Sequence, residues 1–229
     1  MRDRRLLAAF IAAIVLSLLP EVAFAHGVTG RDAAFVQSIN GPAVGPFMYL
    51  GAKHMVTGYD HLLFLVGVIF FLYRLKDVLL YVSLFTIGHS TTLLLGVLGN
   101  IHANAYIIDA IIGVSVVYKA FENMGGFEPL GFRPNTRAAV TVFGLFHGFG
   151  LATKLQEFTI SPNGLVTNIV SFNLGVEIGQ MLALTAVLIA ISFWRTRPGF
   201  FQHSFAANTV IMTAGFMLVG YQMAGYFRQ

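Results

Sequence analysis

At 229 residues, 56% of them hydrophobic and only 10% charged, the chain has the composition of a polytopic membrane protein and leaves no room for a sizeable soluble domain. Its net charge of +4 comes mainly from arginines and lysines in short interhelical loops, which points to membrane orientation rather than nucleic-acid binding. The absence of cysteine excludes disulfides, iron–sulfur clusters and thiolate metal sites, so imidazole, carboxylate, amide and thioether are the ligands that remain.

Residues 1–25 read as a cleaved secretory signal peptide. Arg2, Arg4 and Arg5 precede the apolar run LLAAFIAAIVLSLLP, and Ala23-Phe24-Ala25 supplies an A-x-A cleavage site. Cleavage there makes His26 the mature N-terminus, where amine and imidazole together chelate a metal. Residues 26–45, mixed in character and punctuated by glycine and proline, form an external segment with a short amphipathic helix.

Residues 46–229 then form an all-α, polytopic membrane bundle of six transmembrane helices. The expected spans are Pro46–Tyr73, Asp77–Leu98, Ala103–Glu122, Thr136–Leu155, Leu165–Trp194 and Phe205–Phe227. The first and fifth exceed the hydrocarbon thickness, so each must tilt, break or begin in the interface. Arg74 with Lys76, Arg133 with Arg137, and Arg195 with Arg197 fall in alternate loops. Those loops are therefore assigned to the cytoplasm, with both mature termini outside. The chain is placed in a bacterial inner membrane. Comparing MVTGYDHLLFL with TVFGLFHGFGLA leaves only a glycine two or three residues before a histidine, which is no internal repeat.

The informative residues are those that bilayer insertion penalises. A carboxylate at the bilayer centre costs about 2.5–3.5 kcal/mol, so Asp60, Asp109 and Glu177, ionised and unpaired, would together cost on the order of 8–10 kcal/mol. His54 and His61 share a helical face seven residues apart, with Asp60 about 100° round. Asn173, Glu177 and Gln180 share a face of the fifth span, with Gly175 and Gly179 behind them. His89 and His147 lie at similar depth on the second and fourth spans. Imidazole and carboxylate together suit nickel, cobalt, zinc or copper. The expected metal positions are therefore His54, Asp60, His61, His89, His147 and Glu177, with His26, Asp109, Asn173 and Gln180 as secondary ligands. Each histidine alone also fits an interhelical hydrogen bond, and Asp109 fits a pair with Asn104 or a neighbouring helix. Glu122 and Asn123 are expected to cap the third helix, His102 and His203 to lie solvated in loops, and the last span to act as scaffold.

His54-MVTGY-Asp60-His61 followed by LLFLVGV resembles the H-x(5)-D-H signature of the HupE/UreJ family. FTIGHS around His89, FGLFHGFGLA around His147 and FNLGVEIGQ around Glu177 are similar to a subgroup of it, and the likeness covers about residues 46 to 225. Lys154 stands where hydrogenase-linked members carry a glutamate. The resemblance implies a nickel or cobalt permease associated with metalloenzyme maturation, with His54, Asp60, His61 and His147 handling the ion. The expected function is thus a permease whose substrate is a divalent transition metal and whose surroundings are the lipid bilayer. Two other classes fit the same residues. One is an intramembrane zinc enzyme using Glu177 or Asp60 as general base. The other is a delivery or assembly factor that contacts a maturation partner through residues 26–45.

Overall fold

The computed structural model describes residues 30–156 and 161–228, and these are helical with no strand among them. The signal-peptide reading and His26 lie outside the described residues. The helices are α1 (Gly30–Ser38), α2 (Val44–Thr57), α3 (Tyr59–Ile69), α4 (Leu75–Leu98), α5 (Ala105–Asn123), α6 (Thr136–Gln156), α7 (Leu165–Arg195) and α8 (Phe200–Tyr226). A short 3-10 turn, Glu128–Leu130, lies between α5 and α6.

Four helices, α4, α6, α7 and α8, are long and apolar enough to cross a membrane. The expected first span is broken: α2 ends at Thr57 and α3 begins at Tyr59. The break falls at Gly58, whose N–H bonds the His54 carbonyl at 2.7 Å with φ −77° and ψ 86°. Any Cβ there would sit 2.9 Å from that same carbonyl oxygen, so glycine is what lets the chain turn out of the helix so tightly. The overlong segment is thus accommodated by unwinding.

Both halves nevertheless advance in one direction beside α7. Met48 packs on Gly175 and Ala52 on Gly179, so α2 runs parallel to α7. At the far end Arg195 donates to the carbonyls of Ile69, Phe70 and Leu72 at 2.9, 2.5 and 2.8 Å. A helix leaves its last carbonyls unpaired and negative, and a guanidinium satisfies both needs. α4 runs parallel to α6, while α5 and α8 are antiparallel. These three pairs account for most of the packing, and glycine lies at each contact. By contrast α4 and α7 meet along only a short stretch.

The expected spans on α4 to α7 agree with the helices to within about two residues. The last differs more, beginning at Phe200 rather than Phe205. Gly199 adopts φ 82°, which lets the chain reverse at once after α7. Phe200 then enters an aromatic cluster, 5.1 Å from the Trp194 ring and 6.1 Å from Phe70. His203 therefore lies half-buried in the first turn of α8 rather than in a loop.

The polar groups at the inner end of α5 also depart from expectation. Asn123 does not cap its helix; its amide donates to Gly67 O at 2.8 Å and to Asn208 Oδ1 at 2.9 Å, tying α5 to α3 and α8. Glu122 accepts from Lys119 at 2.6 Å and from Thr136 at 2.5 Å. The last helix is thus more than scaffold, because Asn208 and Gln222 are buried in interhelical bonds.

Candidate metal centre

The break at Gly58 places three ionisable side chains at one level of the bundle. His54 lies in the last turn of α2, and Asp60 and His61 in the first turn of α3. The first turn of a helix carries partial positive charge, which favours the Asp60 carboxylate there. Against them α4 presents His89 and α6 presents His147. Asp60, His61, His89 and His147 are all at least 98% buried, with relative exposures of 2%, 2%, 1% and 0%.

His61 is the hub. Its ring centroid lies 5.4 Å from His54, 5.6 Å from His89 and 4.6 Å from His147, each pair edge to face. Below this cluster sits a floor of phenylalanines, each three or four residues along its helix from a histidine. Phe64 lies 5.2 Å from the His147 ring, Phe85 5.1 Å from it, and Phe143 5.7 Å from Phe64. Apolar walls exclude water and strengthen any electrostatic interaction inside.

Two hydrogen bonds set the chemistry of the rings. His61 Nδ1 lies 3.0 Å from Asp60 Oδ1. An ionised carboxylate only accepts, so Nδ1 carries the proton and Nε2 presents a lone pair. Ser115 gives its single proton to the Ile112 carbonyl at 2.6 Å, so at 3.0 Å from His147 Nε2 it accepts. That leaves Nδ1 as the basic nitrogen of His147. The Nε2 atoms of His61 and His89 are buried with no hydrogen-bond partner. Leaving such an atom unsatisfied costs about 1–3 kcal/mol. Neutral imidazoles of fixed tautomer are what a borderline divalent metal prefers. Among the described residues no three His, Asp or Glu side chains already form a ligand shell. The rings are gathered, and a cation would have to turn them inward.

The face of α7 lies alongside. Asn173 donates to Ser90 at 2.7 Å and Thr86 approaches Gln180 at 3.4 Å, while Glu177 sits half-buried between them on the same face. The Asn173 Oδ1 and Gln180 Nε2 atoms are buried and unbonded. These three residues line the short α4–α7 contact and leave a polar seam there.

Asp109 does not join this group. Its Oδ2 accepts from Lys154 at 2.8 Å and from Gln222 at 3.2 Å, while Asn104 instead caps α5 by accepting from Ile107 N at 3.3 Å. Lys154 was not singled out as an ion-pair partner by sequence reasoning, nor was Ser115 as the residue that orients His147. A lysine within an apolar helix was the available signal for the first; nothing in the sequence marked the second. Removing one member of a buried pair strands the other, at about 3–5 kcal/mol. Lys154→Met should therefore lower the melting temperature of the detergent-solubilised protein markedly, and Lys154→Met with Asp109→Asn should recover most of it. Equal melting temperatures for the single and double variants would show that the pair carries no stability.

A bundle of apolar helices, one of them unwound beside a buried imidazole cluster, defines a multi-pass membrane protein. The family model described as HupE / UreJ protein matches residues 30–229, nearly all of the chain beyond the expected signal segment. The chain belongs to the HupE/UreJ family, and that membership suggests a role in nickel or cobalt handling. No curated protein and no solved structure matches it.

Proposed function

We propose that the protein is a six-span permease for a divalent transition-metal ion, nickel or cobalt first and copper or zinc next. It works in a bacterial inner membrane with both mature termini outside. In this reading α2 with α3 forms one span and α5 another. α5 is less apolar because Asp109, Lys119 and Glu122 lie on it, yet both of its carboxylates, Asp109 and Glu122, are paired with lysine within the bundle. Arg74, Arg133 and Arg195 mark the cytoplasmic end by the positive-inside rule.

The observation that carries the reading is the quartet of histidines centred on His61, three of them buried and two with tautomers fixed by Asp60 and Ser115. His54 receives the ion, His61, His89 and His147 hold it, and Asp60 balances its charge. Glu177, Asn173 and Gln180 serve as further oxygen donors across the seam. Imidazole and carboxylate both release metal on protonation, so a proton gradient is a fitting coupling force. An unwound helix at mid-bundle is a recurrent transporter device for presenting polar groups to an ion.

Elemental analysis of detergent-purified protein, followed by competition among nickel, cobalt, copper and zinc, tests the assignment. Exchangeable binding that is lost in His61→Ala, with loss of cellular accumulation at low supply in both His61→Ala and His147→Ala, is the expected result. Stoichiometric zinc that does not exchange, with unchanged uptake, would point to a metalloenzyme instead.

A further inference from the structure

The helix contacts repeat between two halves of the bundle with inverted direction, in a register that pairs Gly51 rather than Gly58 with Gly144. Gly51-x-x-His54 on α2 matches Gly144-x-x-His147 on α6, and Phe85-x-x-Gly88 on α4 matches Phe172-x-x-Gly175 on α7. The contacts obey the same correspondence. A Cβ on Gly51 would collide with the Phe172 carbonyl, and one on Gly144 would lie 2.5 Å from the Phe85 carbonyl. Gly175 abuts the Met48 carbonyl and Gly88 the Thr141 carbonyl, each three residues before its partner glycine.

One turn further on, Gly179 approaches the Ala52 carbonyl, and the equivalent Thr92 bonds the Leu145 carbonyl at 2.6 Å. The third pair is its own mate. A Cβ on Gly113 would lie 3.1 Å from Gly215 O and 2.8 Å from Val219; one on Gly215 would lie 3.1 Å from Gly113 O and 2.8 Å from Val117. The exchange α2 to α6, α4 to α7 and α5 to α8 therefore preserves parallel and antiparallel pairing while reversing direction. That is a two-fold axis lying across the helices, the symmetry of inverted-repeat transporters.

Under this operation His54 and His147 are equivalent. Each ring faces the equivalent phenylalanine, His54 to Phe172 at 6.2 Å and His147 to Phe85 at 5.1 Å. Their present environments differ, with His147 fully buried and His54 half-buried. The hub is not duplicated: the mates of His61 and His89 are Lys154 and Val176, and Lys154 is held by Asp109. One central pair is thus flanked by two equivalent outer ligands, one contributed by each half of the bundle.

Building on the permease reading, we propose that His54 and His147 are exchangeable ligands in alternating access. With His61 and His89, His54 completes the ion's shell in the packing open to the outer face. His147 completes it in the packing open to the arginine-rich face. Two near-equivalent packings of one set of helix pairs supply the two states that such a cycle requires.

Binding of radiolabelled cobalt to sealed vesicles of either orientation tests this. His54→Ala should weaken binding at least tenfold from the outer face and leave the arginine-rich face unaffected. His147→Ala should do the reverse. Equal weakening at both faces by either variant would establish one fixed site and overturn the proposal. If the wild-type chain binds no cobalt, nickel, zinc or copper from either face, the permease reading falls while the repeat stays testable. The chain has no cysteine. His54→Cys and His147→Cys, each made singly, should then react with a membrane-impermeant maleimide from opposite faces. Labelling from one face only, or at neither position, would refute the exchange.

Discussion

Gly51→Leu and Gly175→Leu should each leave almost no monodisperse protein after detergent extraction, while Gly220→Ala extracts and melts as the parent does. The difference is what each glycine touches. Gly51 meets the backbone of Phe172 and Val176, and Gly175 meets the backbone of Met48; no side chain can swing aside to relieve either contact. Nothing lies within 4 Å of the position a Gly220 Cβ would take. Ordinary overpacking costs about 1–3 kcal/mol because side chains repack, and a backbone clash exceeds that by forcing the helices apart. In a bilayer the close approach is itself the driving force for association, so separating α2 from α7 removes it. Separation would also carry His54 away from His61. Size-exclusion profiles and melting curves of the three variants decide the matter; a folded Gly51→Leu protein would mean that α2 and α7 do not pack as described.

What could be read from the sequence, and what could not, follows from the physics of each feature. Apolar length and loop arginines mark α4, α6 and α7 to within two residues because hydrocarbon thickness sets both. The break at Gly58 left no comparable mark: MVTGYDH reads as one more glycine in an apolar run, and glycine is common in membrane helices. Its excess length signalled that something had to give, without saying where. The histidines stood out because each is costly in lipid, yet their meeting around His61 depends on which helices pair, and that is written in glycines rather than in histidines. Lys119 was passed over although Glu122 follows at the i+3 spacing that lets the two neutralise each other. The repeat stayed hidden because His61 corresponds to a lysine and His89 to a valine. Only Gly51, Gly88 and their mates, pressed against backbone, keep the register visible.

Metal binding and stability should move in opposite directions at His89. Its Nε2 is buried without a hydrogen-bond partner, and its ring stacks on Phe85 at 5.9 Å. Leucine at this position has a similar volume, keeps the apolar contacts and removes the unsatisfied nitrogen. Relieving a buried polar atom of that kind returns about 1–3 kcal/mol, so His89→Leu should raise the melting temperature of the metal-free protein. The same substitution removes a ligand and should weaken nickel or cobalt binding at least tenfold. His61→Ala should abolish binding, because His61 touches all three other histidines. Asp60→Asn, which keeps shape but loses the charge that fixes the His61 tautomer, should fall between at about 10–100-fold, the usual cost of removing such a partner. Calorimetric titration with each metal, paired with melting curves taken without it, separates the outcomes. A quartet retained for packing would lose stability in His89→Leu and show no metal dependence in any variant. A quartet retained for an ion gains stability as it loses affinity, since the unsatisfied His89 nitrogen stays costly until a cation binds it.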